Sequence, residues 1–162
     1  MASVDYFLKI EGIEGESADQ EHKGWIDCLT WAWGETQSGT MAYGGGGGAG
    51  KVSMQDFHFT MRVCKASPKL LEACASGEHY KSATIIARKA GKTQQKFLKI
   101  KFSECLVSSF QTGGSGSGDV VPVDQISLNY SKIEYEYKEQ KADGSMGGGV
   151  QAGYDLKANK PI

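Results

Sequence analysis

The sequence has few of the residues that build metal sites and disulfide frameworks. It contains three histidines, and none of them stands two or four positions from another histidine or from a cysteine. The cysteines are also scattered, with no CxxC pair, and each lies in an apolar context where a reduced thiol packs well: Cys28, Cys64, Cys74 and Cys105. We therefore expect no metal site, no cofactor and no requirement for a disulfide.

Excess charge and long apolar runs are missing too. The 18 basic and 19 acidic residues give a net charge of -1, so no positive field attracts a polyanion, and nucleic-acid binding is not expected. No window approaches about 18 apolar residues, and the first residues lack the basic start and apolar stretch of a signal peptide. These features predict a protein that is made in the cytoplasm and does not insert into a membrane.

Glycine is the residue in excess. The 22 glycines, set against three prolines, are about twice the average share, and many fall in three segments, 38–50, 112–118 and 143–149. We predict that these segments are loops. A chain of 162 residues with 40% apolar content fits a single domain over 1–162.

Alternating apolar and polar residues predict strands along most of the chain. In 57–63 the odd positions Phe57, Phe59, Met61 and Val63 are expected to face inward. The inward parity switches from even to odd near Ser131, which indicates a bulge or a bend. The other predicted strands are 4–10, 25–33, 80–88, 98–110, 126–130 and 133–137, with a weak candidate at 154–157.

The strand at 25–33 carries all three tryptophans. By parity one face holds Trp25, Leu29, Trp31 and Trp33, and the other holds Ile26, Cys28, Thr30 and Ala32. Because tryptophans of one parity normally pack into a core, this pattern favours core packing over a stacking platform for sugars or bases.

One short helix is predicted at 68–76. Ser67 can act as its N-cap, Pro68 suits the first helical position, and Gly77 supplies a left-handed stop. The fold class is therefore mainly β: a β-barrel made of two antiparallel sheets, with one short external α-helix and an extended glycine-rich loop.

Two patterns resemble catalytic motifs, and we interpret neither as one. Residues 45–51 satisfy GxxxxGK, but Val52 follows Lys51 where a phosphate-binding loop needs Ser or Thr, and the next element is a strand. Asp56 and His58 share one strand face without a nucleophile to complete a triad, so a solvated outer face is favoured. We expect that the protein is not an enzyme.

A set of motifs spread over the chain resembles the haemolysin-coregulated protein (Hcp) family, the tube proteins of bacterial type VI secretion systems. The motifs are DYFLKI (5–10), GES (15–17), HK (22–23), WI (25–26), WAWG (31–34), GKV (50–52), ASGEHY (75–80), RKAG (88–91), LVSS (106–109), TGGSG (112–116), LNY (128–130), QKADG (140–144) and GYD (153–155). Many members carry Trp where this chain has Tyr154, and the four cysteines are not part of the pattern.

The resemblance implies a β-barrel that forms homohexameric rings, which stack into a hollow tube. It implies that the type VI system exports the tube without a signal peptide, out of the cell or into a target cell. Further partners implied are the sheath and spike proteins and the secreted effectors, some of which bind inside the ring and are chaperoned there.

Two sites follow as hypotheses. Thr30 and Ala32, opposite the tryptophans, are expected to face the lumen and its cargo, with burial of Ala32 between sheets as the open alternative. The ring-stacking contact is expected in the glycine-rich loop, because ordering it costs entropy that only a partner surface repays. Its residues are Gln37, Ser38, Gly39, Thr40, Met41, Ala42, Tyr43, Gly44, Gly45, Gly46, Gly47, Gly48, Ala49 and Gly50.

Two other classes of function stay open from the residues alone. A monomeric ligand- or carbohydrate-binding β-sandwich would use the tryptophans and the glycine loops as its site. An enzyme would have Asp56 and His58 as its candidate residues.

Overall fold

The computed structural model describes residues 3–39, 51–90, 94–118 and 121–162. Its elements, in chain order, are β1 Val4–Ile10, β2 Ile26–Ala32, β3 Glu35–Thr36, β4 Ser53–Met54, β5 Phe57–Arg62, α1 Ala66–Ser76, β6 His79–Lys89, β7 Gln95–Gly113, β8 Val123–Asn129, β9 Lys132–Gln140, β10 Met146–Asp155 and β11 Lys160–Pro161.

Six strands close into an antiparallel barrel. Their order is β7–β6–β1–β2–β5–β8, and β8 pairs in turn with the second half of β7. The first half of β7 also pairs with β9, and β10 and β11 extend this sheet away from the barrel. The predicted antiparallel β-barrel with one short helix is confirmed.

Alternate side chains of the barrel strands fill the interior. Phe57, Phe59 and Met61 point inward from β5 as predicted, and each is at most 1% exposed. Burying an apolar side chain of this size stabilises the fold by about 1.5–3 kcal/mol relative to leaving it in water. The prediction for Val63 is wrong, because β5 ends at Arg62 and Val63 is 39% exposed. The interior cluster also includes Leu8, Ile26, Ile85, Ile100, Phe102, Ile126 and Leu128.

The long strand β7 bends where it changes partner. It pairs with β9 up to Ser103 and with β8 from Leu106 onward. Between these segments Glu104 has φ 54°, and the buried positions change from even to odd, from Phe102 to Cys105. The predicted parity switch near Ser131 also lies at a change of partner, because β8 ends and β9 begins there.

The helix begins earlier than predicted. It covers Ala66–Ser76, and Ser67 lies inside it rather than at the N-cap. The Ser67 hydroxyl accepts the backbone N–H of Cys64 and donates to the buried Asp124 carboxylate at 2.5 Å, so it ties α1 to β8. Gly77 ends the helix at φ 69°, as predicted. Buried Leu70 and Ala73 contribute to the barrel core, whereas Leu71 is 55% exposed.

The prediction of a loop over 143–149 is wrong for most of that segment. β10 begins at Met146 and pairs with β9 through its glycines, with a register shift between Met146 and Gly149. Sheet pairing uses backbone groups, which glycine supplies without any apolar alternation. Similarly, β7 continues through Thr112 to Gly113.

Residues 13–25, here called the strap, cross the outer side of β1 and β6. Asp19 accepts two hydrogen bonds from the buried Arg88 guanidinium, at 2.8 and 3.0 Å, and also contacts Nδ1 of His22 at 3.0 Å. The Phe7 ring stacks on His22 with centroids 4.4 Å apart, and the Arg88 guanidinium lies 4.8 Å from its centroid. The Arg88 hydrogen bonds hold the pKa of the Asp19 carboxyl well below its usual range. Residues of three motifs, Phe7, His22 and Arg88, therefore meet at this ion pair, in which the Asp19 side chain is 18% exposed.

Candidate functional site

A register shift in β2 determines which of its side chains face outward. Cys28 pairs with Met61 on β5, but Thr30 pairs with Thr60, so β2 has one extra residue at this point. Ile26 and Cys28 pack inward before the shift, and Trp31 packs inward after it, with its ring 6.3 Å from that of Phe57. The prediction that Ile26 and Cys28 share a face with Thr30 and Ala32 is therefore wrong. Alternation counted along β2 alone does not reveal the extra residue, because that residue is defined by the pairing with β5.

The three tryptophans do not share a face. Trp31 and Trp33 pack against the core, whereas the Trp25 ring meets the His22 ring edge-on, 4.7 Å away in the strap. Trp33 donates its indole N–H to the Tyr130 hydroxyl, which donates to the Gln55 carbonyl at 2.8 Å. Burial raises the pKa of the Tyr130 hydroxyl to about 12. The aromatic platform of a carbohydrate-binding site is thus not assembled.

Thr30 and Ala32 are both exposed and belong to two cross-strand rows of outward side chains. One row is Thr30, Thr60, Gln125 and Gln111, and the other is Ala32, His58, Ser127 and Ser109. We call these eight residues the polar face. Four adjacent strands make it about 14 Å wide, at roughly 4.8 Å between strands. The open alternative, burial of Ala32 between sheets, is excluded by its exposure.

The polar face forms a shallow depression of about 470 Å³. The alternate residues of these strands, Trp31, Phe59, Phe110 and Ile126, also line it, but their side chains pack into the barrel core. Hydroxyl pairs stiffen its rim, because the Thr30 and Thr60 hydroxyl oxygens are 2.7 Å apart and those of Ser109 and Ser127 are 2.5 Å apart. A surface whose backbone is fixed by strand pairing and whose side chains carry hydrogen-bonding groups is suited to contact with a peptide segment.

Three side chains of the polar face have hydrogen-bonding groups to offer a partner. Within the described ranges, His58, Gln111 and Gln125 form no side-chain hydrogen bond with another residue. His58 and Gln125 lie on the adjacent strands β5 and β8, and Gln111 pairs with Gln125 from β7. Their amide and imidazole groups therefore line the depression from three of its four strands.

The catalytic pairing of Asp56 with His58 is not formed. Asp56 instead accepts hydrogen bonds from the Ser108 hydroxyl at 2.6 Å and from the Asn129 amide at 2.9 Å. In the part of the chain that the structure describes, no group of three or more His, Cys, Asp or Glu side chains is arranged to hold a metal ion. The cysteines are free thiols, and burial raises the pKa of Cys105 to about 12, so that thiol stays protonated and unreactive.

The predicted stacking loop lies partly outside the described residues, which end at Gly39 and resume at Lys51. Gln37, Ser38 and Gly39 are exposed. The two stems are held together because Glu35 pairs with Met54, and Thr36 with Ser53, in the β3–β4 hairpin. The hydrogen-bond chain from Trp33 through Tyr130 to Gln55 fixes this hairpin to the barrel.

An apolar patch on β9 and β10 was not recognised as a surface in the sequence. Tyr135 and Tyr137 are odd positions of the predicted strand 133–137, so the parity switch near Ser131 predicts that they face inward. They are instead 40% and 44% exposed, and Val150 opposite Tyr137 is 71% exposed. They continue the inward face of β7, because Tyr135 pairs with Ile100 and Tyr137 with Leu98. The sheet leaves the barrel here, so the inward parity no longer has a core to face. We call Tyr135, Tyr137 and Val150 the tyrosine patch.

Comparison with known proteins identifies the family. A family model described as "Type VI secretion system effector, Hcp" matches residues 7–137. The protein hcp1 of Pseudomonas aeruginosa is 46% identical over 159 residues, which are 97% of this chain and 98% of that protein. The chain belongs to the Hcp family. It is accordingly a secreted tube protein of a type VI secretion system, and the resemblance seen in the sequence motifs is confirmed.

Solved Hcp structures share the fold over the whole chain. The crystal structure of Hcp1 from Salmonella typhimurium matches with a TM-score of 0.81 and 36% identity, covering 100% of both chains. A structure titled as a type six secretion system protein matches with a TM-score of 0.94 and 31% identity, covering 99% of this chain and 100% of that one. The Hcp family is one of structural, secreted components and not a known family of enzymes. None of the helices described here has the length and apolar character needed to cross a membrane.

Proposed function

We propose that this Hcp chain forms closed hexameric rings that stack into the secretion tube, and that the polar face lines the lumen. There it binds small effectors and chaperones them during export, which proceeds through the type VI machinery without a signal peptide. The sheath and the spike are the further partners that such a tube requires. The chain constitutes a single domain over 1–162 in this assembly.

The observation that carries the proposal is the polar face itself. A barrel exterior that only meets solvent is normally charged. Here none of the eight residues on four strands is Asp, Glu, Lys or Arg, although these four types make up 23% of the chain. A neutral wall with free amide groups contacts many polypeptides by hydrogen bonds without attracting nucleic acid or holding any one cargo too tightly. These are the properties that a transport lumen needs.

The tyrosine patch supports ring closure. A cyclic ring is built from heterologous contacts, in which one patch of a subunit meets a different patch of the next. Tyrosines are enriched in such contacts because they combine apolar area with a hydrogen-bonding group. Tyr135 and Tyr137 lie on strands that extend beyond the barrel, where a neighbouring subunit has room to cover them.

The proposal is tested by the native mass of the purified protein. Light scattering should give a mass near six times 17.4 kDa, or about 104 kDa, over a wide concentration range. A mass that stays near 17.4 kDa at every concentration would contradict the ring.

A further inference from the structure

The depression of the polar face contains one ionisable side chain among the described residues that line it, and that side chain is His58. The others that project into the depression are uncharged: Thr30, Ala32, Thr60, Ser109, Gln111 and Gln125. Protonation of this single imidazole therefore changes the formal charge of the depression from zero to +1.

His58 occupies a central and accessible position. It pairs with Ala32 on β2 and with Ser127 on β8, and both neighbours are small and neutral, so the ring is exposed to an incoming segment. The neighbouring outward residues on β8, two positions to either side of Ser127, are Gln125 and Asn129. On β2 the outward residue two positions before Ala32 is Thr30.

Two charged residues lie on the same face as His58 along its own strand: Asp56 directly before β5 and Arg62 at its end. Asp56 is two residues away, about 7 Å along the strand, and its carboxylate already accepts hydrogen bonds from Ser108 and Asn129. Arg62 is four residues away, about 13 Å along the strand. At this separation Arg62 is largely screened at physiological ionic strength. A charge on His58 therefore acts mainly on whatever lies in the depression.

Taking the lumen assignment of the proposed function as its basis, we infer that His58 sets the charge preference of the cargo surface. With the imidazole neutral, the surface holds neutral and hydrogen-bonding segments. With the imidazolium present, it favours acidic segments and repels basic ones, and a closed ring repeats the same charge in every subunit. The retention of cargo by the ring thereby responds to the pH of the compartment.

The test uses purified rings and two fluorescent peptides of about twelve residues, built on Ser and Gly, one with three Lys and the other with three Asp. Fluorescence anisotropy gives both dissociation constants at about pH 8 and about pH 5.5, where Asp and Lys keep their charges but an ordinary imidazole changes its own. We expect the preference for the acidic peptide over the basic one to rise about fivefold or more at the lower pH, which corresponds to one charge pair near contact distance in water.

Three variants isolate His58. His58→Gln should remove the pH dependence, because glutamine keeps a hydrogen-bonding group and never ionises. His58→Lys should prefer the acidic peptide at both pH values. The matched control is His79→Gln, which changes another exposed histidine at the start of β6, outside the polar face, and should keep the full pH dependence.

The outcomes separate this inference from the proposed function. A pH dependence that persists in His58→Gln, or the absence of binding by either peptide to intact rings, would overturn the role of His58 and leave the ring in place. Light scattering at both pH values reports the ring itself. A monomeric mass for the wild-type protein overturns the proposed function and this inference together.

Discussion

Gly15 lies where the first residues of the strap approach the backbone of its last residues. A Cβ atom placed on it would stand 2.4 Å from the carbonyl oxygen of Trp25, and its own N–H donates to the Gly24 carbonyl at 2.8 Å. Neither partner is the end of a flexible side chain, so the backbone would have to shift. The GES motif at 15–17 therefore has a structural cause, since a glycine is needed for the strap to place Asp19 against Arg88.

We predict that Gly15→Ala lowers the free energy of unfolding by about 1–3 kcal/mol, the usual cost of forcing extra volume into a packed site. The matched control is Gly116→Ala, because a Cβ there would meet no atom within 4 Å. Its unfolding free energy should stay within about 0.5 kcal/mol of the wild type. Urea denaturation measures both, and equal midpoints for the two variants would show that the strap tolerates the methyl group.

At the scale of strands and helices, the sequence predicted those elements whose pattern is set by their own side chains. β1 was found as a strand at the predicted position, and β5 has Phe57, Phe59 and Met61 facing inward as predicted. β10 was missed because Gly147, Gly148 and Gly149 provide hydrogen-bonding backbone and no side-chain pattern. The faces of β2 were wrong because the extra residue is visible only against the register of β5. The alternation of a strand can be recognised from its own residues, whereas its register is defined only relative to the neighbouring strand.

The same distinction applies to the candidate site. Thr30 and Ala32 were predicted as a possible lumen patch from their position opposite the tryptophans, and their exposure is in agreement. The roles of Gln111 and Gln125 were not predicted, because they lie 14 residues apart in the chain and become neighbours only through the pairing of β7 with β8. His58 was read as an ordinary solvated residue for the same reason. The alternation within single strands indicated the fold class, whereas the polar face became visible only from the cross-strand pairing.

The β3–β4 hairpin makes a test of the stacking loop possible at this scale. Because its stems are paired at Glu35–Met54 and Thr36–Ser53, removing residues 44–48 should leave the barrel and the stems folded. We predict that the deletion keeps the hexamer mass but reduces the yield of stacked tubes about tenfold or more, equivalent to losing about 1.4 kcal/mol per contact. Electron microscopy and sedimentation measure the tubes.

The control for that deletion removes Ser115, Gly116 and Ser117 from the other glycine-rich segment. These residues are exposed, and the two serine side chains hydrogen-bond to each other. This control should leave both rings and tubes unchanged. Tubes that form equally well in both deletion variants would remove the loop from the stacking contact.

At the scale of the whole molecule, the two surfaces with unusual composition lie on different parts of one sheet. The polar face spans β2, β5, β8 and the second half of β7, and the tyrosine patch lies on β9 and β10, which pair with its first half. The bend at Glu104 separates these halves and is held by the Ser131 hydroxyl and by Lys157, at 2.7 and 2.6 Å from the Glu104 carboxylate. One long strand therefore fixes the angle between the proposed lumen wall and the proposed subunit contact.

The position of the tyrosine patch on strands outside the barrel predicts which substitutions should dissociate the ring. Replacing Tyr135 and Tyr137 together by Ser removes aromatic area that we expect a neighbouring subunit to cover, at a cost of about 1–2 kcal/mol for each side chain in each contact. Because every contact in a closed ring loses the same amount, the variant should be monomeric at concentrations where the wild type is hexameric. Light scattering gives the mass, and circular dichroism shows whether the barrel is intact. Leu71→Ser, at the exposed apolar position on α1, is the matched control and should keep the hexamer. A folded double variant that still forms hexamers would place the subunit contact elsewhere on the barrel.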